Sequence, residues 1–143
     1  MMKRIAFFSL IILSLVSCSR NDNNSNCNNI PNVGVSRGLN LNFPQYSDLN
    51  FISNPIFVED EGYGGLIVTN TGTGFVAFDA ADPNHQPNSC SILTISGLEG
   101  ICGCADANKY SLFTGQPLES PDLRCGLKAY RAELNGDILF ISN

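Results

Sequence analysis

The chain has 143 residues, six cysteines and one histidine, with 8 Lys/Arg against 13 Asp/Glu and a net charge of −5. The basic residues form no cluster, which argues against nucleic acid as a partner, since such binding draws on counterion release from basic patches. The length suits a single domain around a single core.

The chain opens with Lys3 and Arg4, followed by a nearly unbroken apolar run over residues 5–16. That run is roughly a dozen residues, short of the ~20 that a membrane-spanning helix requires. Leu15-Val16-Ser17-Cys18 follows and fits the bacterial lipobox, in which a branched apolar residue and a small residue precede a cysteine. Residues 1–17 therefore read as a lipoprotein signal peptide, and Cys18 as the acylated first residue of the mature chain. Acyl chains contribute about 0.8 kcal/mol per buried methylene, so a multiply acylated Cys18 would anchor the protein firmly at a membrane surface. The next residues, Ser19-Arg20-Asn21-Asp22-Asn23-Asn24-Ser25-Asn26, are polar and Asn-rich, unable to bury enough surface to offset their ordering entropy. Residues 18–30 are assigned to a flexible tether and 31–143 to the folded domain. The expected location is the bacterial cell envelope. The absence of a strongly acidic run after Cys18 favours a periplasm-facing position at the outer membrane.

Beyond the tether, short β-like runs recur between turn signals. A first run covers 33–43 and is closed by Pro44, and a second covers 55–58. Runs at 65–69 and 74–78 flank Asn70-Thr71-Gly72-Thr73, a hairpin connection. Runs at 91–95 and 100–102 flank a turn at Gly97, and 109–113 forms a further strand. The last two runs, 129–134 and 138–141, are joined by Asn135-Gly136-Asp137, where Asn-Gly predicts a type I′ turn. Residues 82–91, with two prolines, resist a strand reading and form a loop, as do residues 102–107. Many short strands with frequent turns predict a small all-β domain.

The order of these features resembles a Rieske-type [2Fe–2S] domain, an antiparallel scaffold whose two cluster-binding loops carry Cys-x-His and Cys-x-x-His. Val76-Ala77-Phe78-Asp79 leads into Asp82-Pro83-Asn84-His85 as the first loop, and Cys102-Gly103-Cys104-Ala105 forms the second. Tyr110 through Gly115 matches the family's F/Y-x-x-x-x-G stretch, and a terminal hairpin completes the order. The resemblance covers roughly residues 50–143 and implies an antiparallel sandwich or barrel with two loops at one tip. It does not extend to the chemistry. The positions matching cluster ligands are Asp82, Asn84, Cys102 and Ala105, and the chain holds one histidine where two are needed. The scaffold is expected without its electron-transfer activity, and no cofactor is expected.

The remaining candidates divide as follows. His85, with no cysteine or carboxylate at metal spacing, reads as a surface residue, and Asp82 and Asn84 read as turn formers. Glu59-Asp60-Glu61 reads as a solvated loop. With Cys18 acylated, five cysteines remain, an odd number that leaves one thiol free or intermolecular. The resemblance implies a disulfide bracing the two loops through Cys104, with Cys90 as its partner. Cys102 could instead pair with Cys90, and Cys125 or Cys27 could enter, since the sequence does not choose among connectivities. Four thiolates from Cys90, Cys102, Cys104 and Cys125 would be the donor set for a zinc or iron–sulfur alternative. No nucleophile motif or phosphate loop is present, so an enzyme is the less favoured class. The expected role is a non-catalytic binding or structural module of the envelope, contacting the membrane through Cys18 and an unidentified envelope protein. The alternative is a redox module with a non-standard cluster or a thiol–disulfide pair.

Overall fold

The computed structural model of the chain describes residues 27–143, so the signal peptide, Cys18 and the tether up to residue 26 lie outside the described residues. Ten strands follow: β1 Ser36–Asn40, β2 Ile56–Val58, β3 Leu66–Asn70, β4 Phe75–Asp79, β5 Leu93–Ser96, β6 Glu99–Cys102, β7 Lys109–Ser111, β8 Pro117–Leu118, β9 Ala129–Asn135 and β10 Ile138–Ser142. They form an antiparallel six-stranded sheet in the order β1-β10-β9-β4-β3-β2 and an antiparallel four-stranded sheet in the order β5-β6-β7-β8. The small sheet is inserted between β4 and β9 of the large one. Apart from one 3₁₀ turn the described residues are all-β, and no helix among them is long and apolar enough to cross a membrane.

Alternation along the strands divides the interior into two cores. Leu66 and Val68 of β3 and Ala77 of β4 join Leu39, Leu49, Ile56, Val58, Tyr130, Leu139 and Ile141 in the first. Successive side chains point to opposite faces, so Ile67 and Phe78 pack instead with Leu93, Tyr110, Leu112 and Leu127 in the second. The strand pair β3–β4 is thus a wall buried on both faces, which explains why Leu66-Ile67-Val68 is apolar without alternation. Both edge strands of the large sheet, β1 and β2, supply the first core, so that sheet curls around it.

Three local expectations are corrected. The run expected over 33–43 is a strand only at Ser36–Asn40, and a 3₁₀ turn at Pro44–Asn50 follows it. Proline suits the first turn of such an element because its missing N–H has no partner there in any case, and Leu49 then plugs the first core. In the last hairpin Asn135 pairs with Ile138, so the central residues are Gly136 and Asp137, and only Gly136 has a positive φ, 60°. That is the pattern of a type II′ turn, with glycine first, rather than the type I′ turn expected at Asn-Gly. The third concerns the tether. Its last residues, 27–30, are attached to the domain: Cys27 is disulfide-bonded to Cys125, Ile30 is buried, and the Asn29 amide donates to the Pro83 carbonyl at 2.9 Å.

Candidate functional site

Two loops meet at one tip of the molecule. The first runs between β4 and β5, closed at its base by the Ala81–Ile92 bridge, and the second runs between β6 and β7. Gly103 allows them to touch. A Cβ there would lie 2.8 Å from the Cys90 carbonyl oxygen, closer than any side chain tolerates, so the second loop passes the first with bare backbone.

The disulfide Cys90–Cys104 closes this contact, with Cα atoms 4.8 Å apart. A second disulfide, Cys27–Cys125, ties the start of the domain to the segment between β8 and β9. Cys102 keeps a free thiol, buried at the end of β6. The four-thiolate set of Cys90, Cys102, Cys104 and Cys125 is therefore not available as such, because three of its members are in disulfides. Burial pushes the Cys102 thiol up to about 11, with a smaller upward contribution from Asp82 that a backbone hydrogen bond at Cys104 opposes.

Asp82 and Asn84 do more than form turns. The turn is present, since the Asn84 N–H donates to Asp82 Oδ1 at 2.8 Å. Asp82 is also fully buried and accepts the Tyr110 hydroxyl at 2.5 Å and the Asn108 amide at 2.9 Å, both from the far side of the tip. Asn84 donates to the Tyr110 oxygen and to the Cys125 carbonyl, each at 2.8 Å, and accepts the Cys125 N–H at 3.1 Å. Burial, and then the hydrogen bond to Asp82, raise the Tyr110 phenol well above the ordinary tyrosine range. The two loops and the Cys125 segment are thus joined by one polar network, buried at Asp82 and Tyr110 and partly buried at Asn84 and Asn108.

His85 is not the free surface residue its sequence context suggests. It is partly buried, and its Nε2 lies 2.6 Å from Asp106 Oδ2 in the second loop. One of its ring nitrogens and the sulfurs of Cys102 and Cys104 all lie within 4.8 Å of one another. Nothing in the local sequence shows this convergence, because His85 and its loop-two neighbours lie on opposite sides of an intervening hairpin. Ala105 is exposed and brings no donor. Clefts of about 500 and 340 Å³ are lined by Phe57 and residues 59–65 with Ile92 and by Phe57 with residues 92–95, and a third of about 210 Å³ borders the second loop at Asp106, Ala107 and Asn108; neither His85 nor Asp82 lines any of the three.

The donor set does not fit a [2Fe–2S] cluster held by two thiolates and two imidazoles. Both Asp82 oxygens are occupied by hydrogen bonds from protein donors, the Asn84 amide is committed on both its atoms, and a single imidazole is present.

No family model matches the chain, and no curated protein matches it. Among solved structures it is similar to a chain in the complex of reduced oxygenase and oxidized ferredoxin in carbazole 1,9a-dioxygenase, at 22% identity and TM-score 0.47, covering 67% of this chain and 85% of that one. It is also similar to the ferredoxin of carbazole 1,9a-dioxygenase from Nocardioides aromaticivorans IC177, at 16% identity and TM-score 0.43, covering 65% and 89%. A third is the putative NADH-dependent nitrite reductase small subunit from Mycobacterium tuberculosis, at 15% identity and TM-score 0.44, covering 78% and 97%. The two-sheet architecture described above rests on the strand order itself.

Proposed function

We propose that the chain is a membrane-anchored envelope lipoprotein whose β domain serves as a cluster-free, non-catalytic binding or structural module, presenting a cross-linked tip to a partner in the envelope. The observation that carries this reading is the saturation of Asp82 and Asn84. At the positions that match cluster ligands in the Rieske resemblance, this chain has side chains whose polar atoms bond across the tip to Tyr110, Asn108 and Cys125. Hydrogen bonds and a disulfide hold the loops, a role that a cluster would otherwise fill. In this reading the anchor is Cys18 and the partner is an envelope protein.

The test is iron and acid-labile sulfide analysis with a visible spectrum, made on the full chain extracted anaerobically from membranes in detergent. A colourless protein without stoichiometric iron and sulfide is expected. Iron and sulfide in equal amount would overturn the reading in favour of an electron carrier with unusual ligation. Fractionation of a Cys18→Ala variant checks the anchor, and its persistence in the membrane fraction would remove the lipid attachment from the account.

A further inference from the structure

The tip holds more soft donor atoms than a purely structural bridge requires. Cys102 keeps a thiol beside the Cys90–Cys104 disulfide, and His85 stands against both Cys102 and Cys104. Three thiols and one imidazole therefore meet at one point once that disulfide is opened. We propose that reduction of Cys90–Cys104 converts the tip into a mononuclear Cys₃His site, formed by Cys90, Cys102, Cys104 and His85, that takes Zn²⁺ or another thiophilic divalent ion. The inference concerns the same tip but does not depend on its binding a protein partner.

The geometry is close to what such an ion needs. Zinc–sulfur bonds of about 2.3 Å in a tetrahedron set the sulfurs about 3.8 Å apart. The nitrogen and the two sulfurs of His85, Cys102 and Cys104 already lie within 4.8 Å of one another, so side-chain rotations of about 1 Å close the set. Cys90 is covalently bonded to Cys104 in the oxidised form, and its sulfur joins the same cluster on release. Asp106 holds His85 Nε2 at 2.6 Å, so ligation through Nδ1 would leave that carboxylate in the place from which it fixes a ligating imidazole's orientation. Fold retention after reduction is supported by the polar network of Asp82, Asn84 and Tyr110, which joins the loops independently of the sulfur bridge. Cys90 is exposed, so a reductant reaches the bond from outside.

The chemistry balances with a dithiol protein as reductant. It supplies two electrons and two protons, the Cys90–Cys104 bond breaks to two thiols, and the reductant leaves as a disulfide. Metal binding then displaces three thiol protons, and the imidazole coordinates as the neutral base. In the oxidised state Cys102 and His85 are the donors left, too few for a tetrahedral protein site. The disulfide acts as a lock over the metal site.

The test is titration of Co²⁺ into the full chain in detergent, before and after treatment with a water-soluble phosphine, which adds no thiol of its own. The expected result is no thiolate–cobalt absorption in the oxidised protein. After reduction, one equivalent should bind with the near-ultraviolet charge-transfer and visible bands of a tetrahedral thiolate site. Cys102→Ser, which leaves both disulfides intact in the starting protein, should abolish the one-equivalent site. His85→Ala should shift the visible bands and weaken binding on the order of 10–100-fold, at least the loss caused by removing an outer-shell partner. Absence of binding in the reduced wild type would overturn the proposal. So would an unchanged spectrum in both variants, which would place the metal on the thiols released from Cys27–Cys125.

Discussion

Two buried aspartates, three residues apart, show how differently one side chain can be used. Asp79, at the end of β4, accepts from the backbone N–H groups of Tyr63, Gly64 and Ala81 at 2.7–3.0 Å and from the Tyr130 hydroxyl at 2.8 Å. Asp82 accepts the Tyr110 hydroxyl, the Asn108 amide and the Asn84 N–H. The first binds mostly backbone and locks a turn against a sheet that is already laddered on both sides. The second binds mostly side chains and joins loops that share no ladder. The tip is therefore held by replaceable side-chain chemistry and the scaffold by backbone, which is how a fold can keep its frame while its tip changes function.

The contrast can be broken most directly at Asp79. Asp79→Ala leaves four donors without an acceptor, the Ala81 N–H and Tyr130 hydroxyl buried and the Tyr63 and Gly64 N–H groups partly so, and each unsatisfied buried group costs about 1–3 kcal/mol. We expect a loss of about 5 kcal/mol in urea unfolding, with amide protection lowered through β3, β4 and β9. Asp82→Ala should cost less, about 3 kcal/mol, because it strands three donors of which only the Tyr110 hydroxyl is buried, against four with two buried at Asp79. Its effect on hydrogen exchange should be confined to residues 82–91 and 102–110; loss of protection in β1 and β10 would erase the distinction.

A comparable loss, again about 3 kcal/mol, is expected for Cys90→Ser with Cys104→Ser, whose bridge closes a short loop with a sequence separation of 14. Combined with Asp82→Ala, the change should be non-additive in a double-mutant cycle, because both clamp the same two loops. Strict additivity would mean that bridge and network act on separate elements. The tyrosines give a finer comparison. Tyr110→Phe removes hydrogen bonds to both Asp82 and Asn84 and should cost about 2 kcal/mol, whereas Tyr130→Phe removes the bond to Asp79 and should cost about 1 kcal/mol. Equal losses would show that Asn84 contributes nothing through Tyr110.

The smallest effect is alkaline. The Cys102 thiol ionises near 9.0 when exposed and near 11 in the fold. A raised folded value favours the neutral form, so its stabilising contribution is complete below pH 9 and fades as pH rises through 11. Stability should decline over that window, and Cys102→Ser should flatten the decline. Alkylation of the native thiol should follow an ionisation near 11; a rate already at its plateau by pH 9 would contradict the burial described here.

Much of the frame was legible in the sequence because it is encoded locally. Asn70-Thr71-Gly72-Thr73 and Gly97 mark the β3–β4 and β5–β6 connections, and the Thr71 N–H bonds the Gly74 carbonyl as a hairpin turn requires. The 3₁₀ turn at Pro44–Asn50 was not legible, being too short to show helical periodicity, and β8, with only Pro117 and Leu118, carries no pattern at all. At the tip, the Asx turn of Asp82 could be read, but its bond to Tyr110, 28 residues away, could not. His85 was misplaced for the same reason, since Asp106 is 21 residues distant. The cysteine spacing alone leaves several pairings open; the Rieske resemblance implies Cys90 with Cys104, the pair that the approach of the loops at Gly103 brings together.

The Cys27–Cys125 bridge also decides how the domain bears load. A pull on the chain ahead of Cys27 would otherwise run through residues 28–35 to β1, an edge strand paired only with β10, and unzip that ladder one bond at a time. The bridge diverts part of the tension across a covalent bond to Cys125, whose backbone is itself held by Asn84. Load then enters the fold at Cys125 as well as at the edge strand β1, where it would otherwise be taken up alone.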